Sequence, residues 1–214
     1  MRKGAFEVLV NICGKSAQEY SHNGECFICA EGNTDYSIDI RSHIGRKSKV
    51  VLSVDGLDVM TGLQASSDAG GYIIPEYGHI EIPGWRLDNN RVAKFRFGYN
   101  PYAKHQNTPD NIGVIGAAFF LEKEKPVFRI YSGITNCGEG MKSFGIGTEF
   151  GSETFHRVIN VDFDAEKYSK EIITIRYDTQ EKLESAGIIK KYDRMSANPF
   201  PGDIGCTPPY NWRG

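Results

Sequence analysis

The sequence predicts an all-β, mainly antiparallel domain, a β-sandwich or jelly roll with one short C-terminal helix and extended terminal arms. Three observations carry that prediction. Apolar and polar residues alternate with period two, or run apolar for four to eight positions, in ten separate segments. Turn residues punctuate the gaps between them, and 24 glycines accompany 12 phenylalanines and 11 tyrosines in 214 residues. No alternation of strand and helix patterns suggests a parallel sheet.

The predicted strands are Phe6–Ile12, Glu25–Ala30, Tyr36–Arg41, Lys49–Val54, Gly71–Ile74, His79–Ile82, Val92–Phe97, Val114–Leu121, Phe155–Phe163 and Ile172–Tyr177. In Val92–Phe97 the apolar residues Val92, Phe95 and Phe97 nearly separate from Lys94 and Arg96, as expected of a strand with one wet face. Val114–Leu121 contains no polar residue and reads as a central strand, or else a short buried helix. Asp55-Gly56 supplies the hairpin chemistry after Lys49–Val54, and Gly70-Gly71, Pro83-Gly84, Asn89-Asn90 and Tyr99–Pro101 mark further reversals. One helix is expected over about 179–186, with Asp178 as its cap, Glu181 as capping-box partner and Gly187 at its C-terminal end.

Length and pattern give one sandwich domain over residues 25–191. Residues 1–24 read as an N-terminal strand and arm, because Cys13–Gly24 is polar and turn-rich. Residues 192–214 read as an extended C-terminal arm, with Pro199, Pro201, Pro208 and Pro209 excluding a central strand.

Charge and cysteine content narrow the function. With 25 basic against 27 acidic side chains the formal net charge is -2, so no bulk field favours nucleic acid or anionic membrane. Glu7 and Asn11 interrupt the only N-terminal apolar run, so no signal peptide is expected, and no stretch approaches the roughly 18 apolar residues of a membrane span. The odd count of five cysteines (Cys13, Cys26, Cys29, Cys137, Cys206) suggests free thiols.

The motifs that could carry chemistry are each incomplete. Cys26 and Cys29 have the spacing of a zinc half-site, but no second pair follows and strand positions 26 and 29 face opposite ways. The run Gly145–Gly151 lacks the third glycine of a dinucleotide loop, and Gly140–Ser143 lacks P-loop spacing; both read as flexible surface loops. His79 and Glu81 echo a deaminase motif without its cysteine pair, and suit an exposed strand face. Asp55 with Asp58, and Asp162 with Asp164 on one strand face, could serve calcium, yet no loop supplies enough oxygens in series. Cys137, in a glycine-rich loop, is the best candidate nucleophile, with no histidine fixed as its base. No catalytic residues, metal or cofactor are assigned.

Candidate partner-binding residues are Trp85, Arg86, Tyr210, Trp212 and Arg213. A loop tryptophan beside an arginine is a common hot-spot composition, and Trp85 could instead close the end of the sandwich core, the favoured of the two readings. Tyr210, Trp212 and Arg213 lie in a proline-rich strip that loses little entropy on docking, either on its own domain or on a neighbouring subunit.

The segments Ser53–Val59, Gly71–Pro75, Ile82–Arg86, Val92–Phe97 and Asn111–Gly116, with Ile175–Asp178 and Gly187-Ile188 near the C-terminus, resemble a group of uncharacterised β-sandwich proteins of bacteria and phages. That group has no established activity. The resemblance implies a phage or prophage setting, hence a virion protein made in the host cytoplasm and bound to other structural subunits or to copies of itself. A non-enzymatic capsid decoration, cement or tail-associated role is the leading expectation. A carbohydrate-binding or adhesion module with Trp85 and loop tyrosines as stacking platforms is the alternative, and a hydrolase using Cys137 is a second one.

Overall fold

The computed structural model describes residues 1–105, 109–123 and 146–190. Strands β1 (Arg2–Lys3), β2 (Phe6–Ile12), β3 (Lys15–Ser16), β4 (Glu19–His22), β5 (Glu25–Cys29), β6 (Asp35–Ser42), β7 (Ser48–Val54) and β8 (Leu57–Asp58) come first. They are followed by β9 (Tyr72–Ile74), β10 (His79–Ile82), β11 (Gly84–Arg86), β12 (Arg91–Gly98), β13 (Val114–Leu121), β14 (Gly147–Phe155), β15 (Glu171–Asp178) and helix α1 (Gln180–Ser185).

The strands form two sheets. The first follows β1-β2-β6-β12-β11, with β3 on β2, β10 on β6 and β14 on β12; the second follows β4-β5-β15-β13-β7-β8, with β9 on β7. All pairs are antiparallel except β5 with β15. Inward residues of both sheets make one apolar core, and Phe6 of β2 stacks on Phe119 of β13 across it, with centroids 4.2 Å apart. The described residues form the expected all-β sandwich, with one short α-helix among them.

Two connections bring the polar residues of the fold into place. Asp55 and Gly56 both have positive φ, +53° and +77°, as the tight β7–β8 hairpin requires. Strands β10 and β11 flank Pro83, which lacks an amide to donate. Here the chain passes from pairing with β6 to pairing with β12. A Cβ on Gly84 would lie 1.9 Å from the Ala93 carbonyl oxygen, so only glycine permits that close approach.

Several expectations need correction. Residues 1–24 are no arm in this structure: β2 pairs with β6 along its whole length, Phe6 and Val8 are fully buried, and β4 forms a hairpin with β5. The late strand lies at Gly147–Phe155, where the glycines suggest a flexible loop over 145–151, and residues 156–164 form no strand. Gly147 sits so close to Pro101 that a Cβ would lie 2.4 Å from its ring, so packing, not flexibility, accounts for that glycine. The helix is capped by Thr179 without a side-chain bond, while Asp178 accepts the Thr179 amide at 2.8 Å and pairs with Lys182. Its C-terminal end matches expectation: Gly187 has φ +72°, and the amides of Gly187 and Ile188 return to the carbonyls of Glu184 and Leu183, a Schellman motif. The expected C-terminal arm, 192–214, lies outside the described residues.

Candidate functional site

A cavity of about 1020 Å³ opens on the side of the sandwich where β9 of one sheet faces β10 of the other. Each of these strands has one partner strand among the described residues, β7 for β9 and β6 for β10. Gly70–Ile73 and Ile80-Glu81 line one part of the groove, and residues 156–163 run across it. Its charges nearly balance, with Lys47, Lys49 and Arg157 against Asp68, Glu81, Glu122 and Asp162.

Residues 156–163 form a strap. The His156 amide donates to the Asn90 carbonyl at 2.7 Å and the Val158 amide to that of Asn89 at 2.8 Å; the next main-chain anchor is Lys123 donating to Asp164. Between these points the amides of 159–163 donate no main-chain hydrogen bond among the described residues. Val158 packs on the core, whereas Phe155 is 72% exposed, Ile159 72% and Val161 56%. Of these three, Ile159 and Val161 line the groove.

Arg86, one of the residues singled out from the sequence, holds the strap in place. Its Nη1 donates to the His156 carbonyl at 2.6 Å and its Nη2 to His156 Nδ1, also at 2.6 Å. Nε and Nη2 further donate to the Tyr72 hydroxyl at 3.3 and 3.1 Å. Arg86 therefore ties β11, β9 and the strap together. Burial and the Arg86 charge hold the His156 imidazole below its ordinary range, against a smaller opposing pull from Glu81.

Trp85 is placed differently from its neighbour. Its side chain is 2% exposed, stacked on Phe150 and edge-on to Phe95 and Tyr102, so it offers no ring to a partner or a sugar. Strand alternation is the reason: Trp85 and Arg86 point to opposite faces of β11. Tyr210, Trp212, Arg213, Cys137 and Gly140–Ser143 lie outside the described residues.

A second polar cluster, which sequence reasoning missed, lies inside the core. The Tyr177 hydroxyl donates to Asp55 Oδ1 at 2.6 Å, the Gly113 amide to the same oxygen at 2.8 Å and the Thr148 amide to Oδ2 at 2.6 Å. Thr148 Oγ1 lies 2.6 Å from the Tyr177 hydroxyl and 2.8 Å from that of Tyr36. Since each hydroxyl has one hydrogen, the bond from Tyr177 to Asp55 orders the rest: Tyr36 donates to Thr148, and Thr148 to Tyr177. The chain crosses from β6 and β14 of one sheet to β15 and the β7–β8 turn of the other. Desolvation raises the Asp55 carboxyl to about 6, against the opposing effect of these donors and the Val114 amide. Desolvation also pushes the Tyr36 and Tyr177 hydroxyls well up. The only sequence signal was Asp55-Gly56 itself, read as a turn and as a possible calcium ligand.

The remaining candidates are dispersed. Asp58 folds back to accept the amides of Met60 and Thr61, both at 2.9 Å, and Asp164 pairs with Lys123. Asp162 and Asp164 share no strand face, since no strand forms there. Cys26 is buried and Cys29 half-buried, both as free thiols, with burial raising each. His79 and Glu81 are exposed on β10. Among the described residues no group of three or more His, Cys, Asp or Glu could hold a metal ion, and no helix is long and apolar enough to cross a membrane.

Comparison with protein-family models, with curated proteins and with solved structures gives no match.

Proposed function

We propose that the chain is a non-enzymatic structural protein of phage particles, a capsid decoration, cement or tail-associated component, and that its groove between β9 and β10 receives an extended segment of a neighbouring structural subunit. The observation that carries the reading is the pairing of two strand edges at one open groove. Such edges present main-chain donors and acceptors to an incoming strand, and strand addition is a common mode of subunit attachment. The near balance of charge in the groove suits a polypeptide better than a polyanion or polycation. Exposed Ile159 and Val161 give the incoming segment apolar contacts.

The resemblance of residues 51–120 to proteins of bacteria and phages supplies the setting. The carbohydrate alternative loses the Trp85 ring, which is in the core, and keeps exposed tyrosines such as Tyr77 and Tyr99. Mass spectrometry of purified particles from the strain that carries the gene tests the assignment. The chain is expected at a stoichiometry comparable to other minor structural proteins, and its absence from the particles contradicts the proposal.

A further inference from the structure

Arg86 and His156 form a contact that only one protonation state permits. A guanidinium is always charged and has no acceptor. At 2.6 Å from Arg86 Nη2, His156 Nδ1 must therefore accept, which fixes the neutral imidazole with its hydrogen on Nε2. Adding a proton to Nδ1 would aim an N–H at the guanidinium and set two cations at hydrogen-bond distance.

We propose that the Arg86–His156 pair is a pH-operated clasp, closing the strap 156–163 over the groove when His156 is neutral and freeing it when His156 is protonated. The strap is built for such release. The Arg86 guanidinium grips both the ring and the carbonyl of His156, and among the described residues the five that follow Val158 donate no main-chain hydrogen bond before Asp164 accepts from Lys123. Displacing the ring takes away one of the contacts at that end and loosens the others there, the amides of His156 and Val158 on the carbonyls of Asn90 and Asn89.

The charged groups around His156 set where the transition falls. Arg86 faces it from β11, and Lys94 of β12 shares with it a smaller cavity also lined by Glu81, Pro83, Thr154 and Phe155. Glu81 of β10 is the one acidic group of this set and contributes a backbone hydrogen bond as well; Arg157 adjoins it in the chain. Tyr72 of β9 sits on the far side of Arg86. Partial burial and the Arg86 charge outweigh the pull of Glu81, so the clasp opens on the acid side of the ordinary histidine range.

The clasp operates in the same way whatever fills the groove. Hydrogen exchange of the full chain at pH 7.5 and pH 5, corrected for intrinsic rates, reads it directly. The amides of His156 and Val158, which are bonded to the Asn90 and Asn89 carbonyls, are expected to exchange at least about tenfold faster at pH 5, with β2 and β13 unchanged. His156→Gln, whose amide oxygen can still accept from Arg86, should abolish the difference. Because Asp55 titrates in a nearby range, a second measurement follows the His156 ring by NMR. Its midpoint must coincide with that of the strap amides, and its spectrum at pH 7.5 must show the Nε2–H tautomer. An unchanged strap at pH 5, an undiminished response in His156→Gln, or separate midpoints for ring and strap would each overturn the proposal.

Discussion

The Tyr177 hydroxyl donates a 2.6 Å hydrogen bond to Asp55 Oδ1, joining β15 to the tip of the β7–β8 hairpin inside the core. Without it the buried carboxylate would lose a hydroxyl donor, and the Thr148 hydroxyl would lose its acceptor. Tyr177→Phe should lower stability by about 1–3 kcal/mol, the usual cost of an unsatisfied buried group. The midpoint of urea unfolding measures this, with an unchanged slope expected.

The same carboxylate makes stability depend on pH. Its folded-state value of about 6 stands above the ordinary 3.8, so the folded state binds the proton more tightly. That contribution is fully present below about pH 3.8 and is lost as pH rises through about 6. It amounts to about 3 kcal/mol at 1.36 kcal/mol per unit. Asp55→Asn should flatten the urea midpoint between pH 4 and 6, while lowering it at acid pH because its amide would face the Thr148 N–H.

Two glycines separate steric from conformational requirements. Gly84→Ala drives a Cβ to 1.9 Å from the Ala93 carbonyl and should destabilise by more than about 2 kcal/mol. Gly187→Ala meets open space but keeps φ +72°, so its cost should be about 1 kcal/mol, that of left-handed backbone alone. Thermal unfolding of the two variants side by side gives the comparison.

Apolar periodicity made most of the sandwich legible: β2, β10 and β13 have the limits read from the sequence, and Asp55-Gly56 forms the hairpin that its chemistry implies. The misses have local causes. Asn23-Gly24, with φ +51° and +81°, is the same kind of hairpin signal, but polar β4 hid it beneath an apparent arm. Strand β14 carries two glycines and two glutamates, a composition that suits a loop until its pairing with β12 is known. In 156–163 the pattern belongs to a strap that no strand pairs with among the described residues. The buried network escaped notice because Tyr36, Asp55, Thr148 and Tyr177 are up to 141 positions apart, and nothing local marks a carboxylate as buried. Arg86 stood out beside Trp85, yet only strand alternation tells which of the two faces outward.

Docking of a neighbouring subunit at the groove is tested most directly by competition during particle assembly. Wild-type chain and an Ile159→Asp, Val161→Asp variant, each distinguishable by mass, are supplied together at equal levels and their ratio in purified particles is measured. Both side chains are exposed, so the variant should fold with unchanged thermal stability. If the groove receives a neighbour's segment, wild-type chain should exceed the variant in particles by about tenfold or more. Equal incorporation of the two chains would contradict docking there.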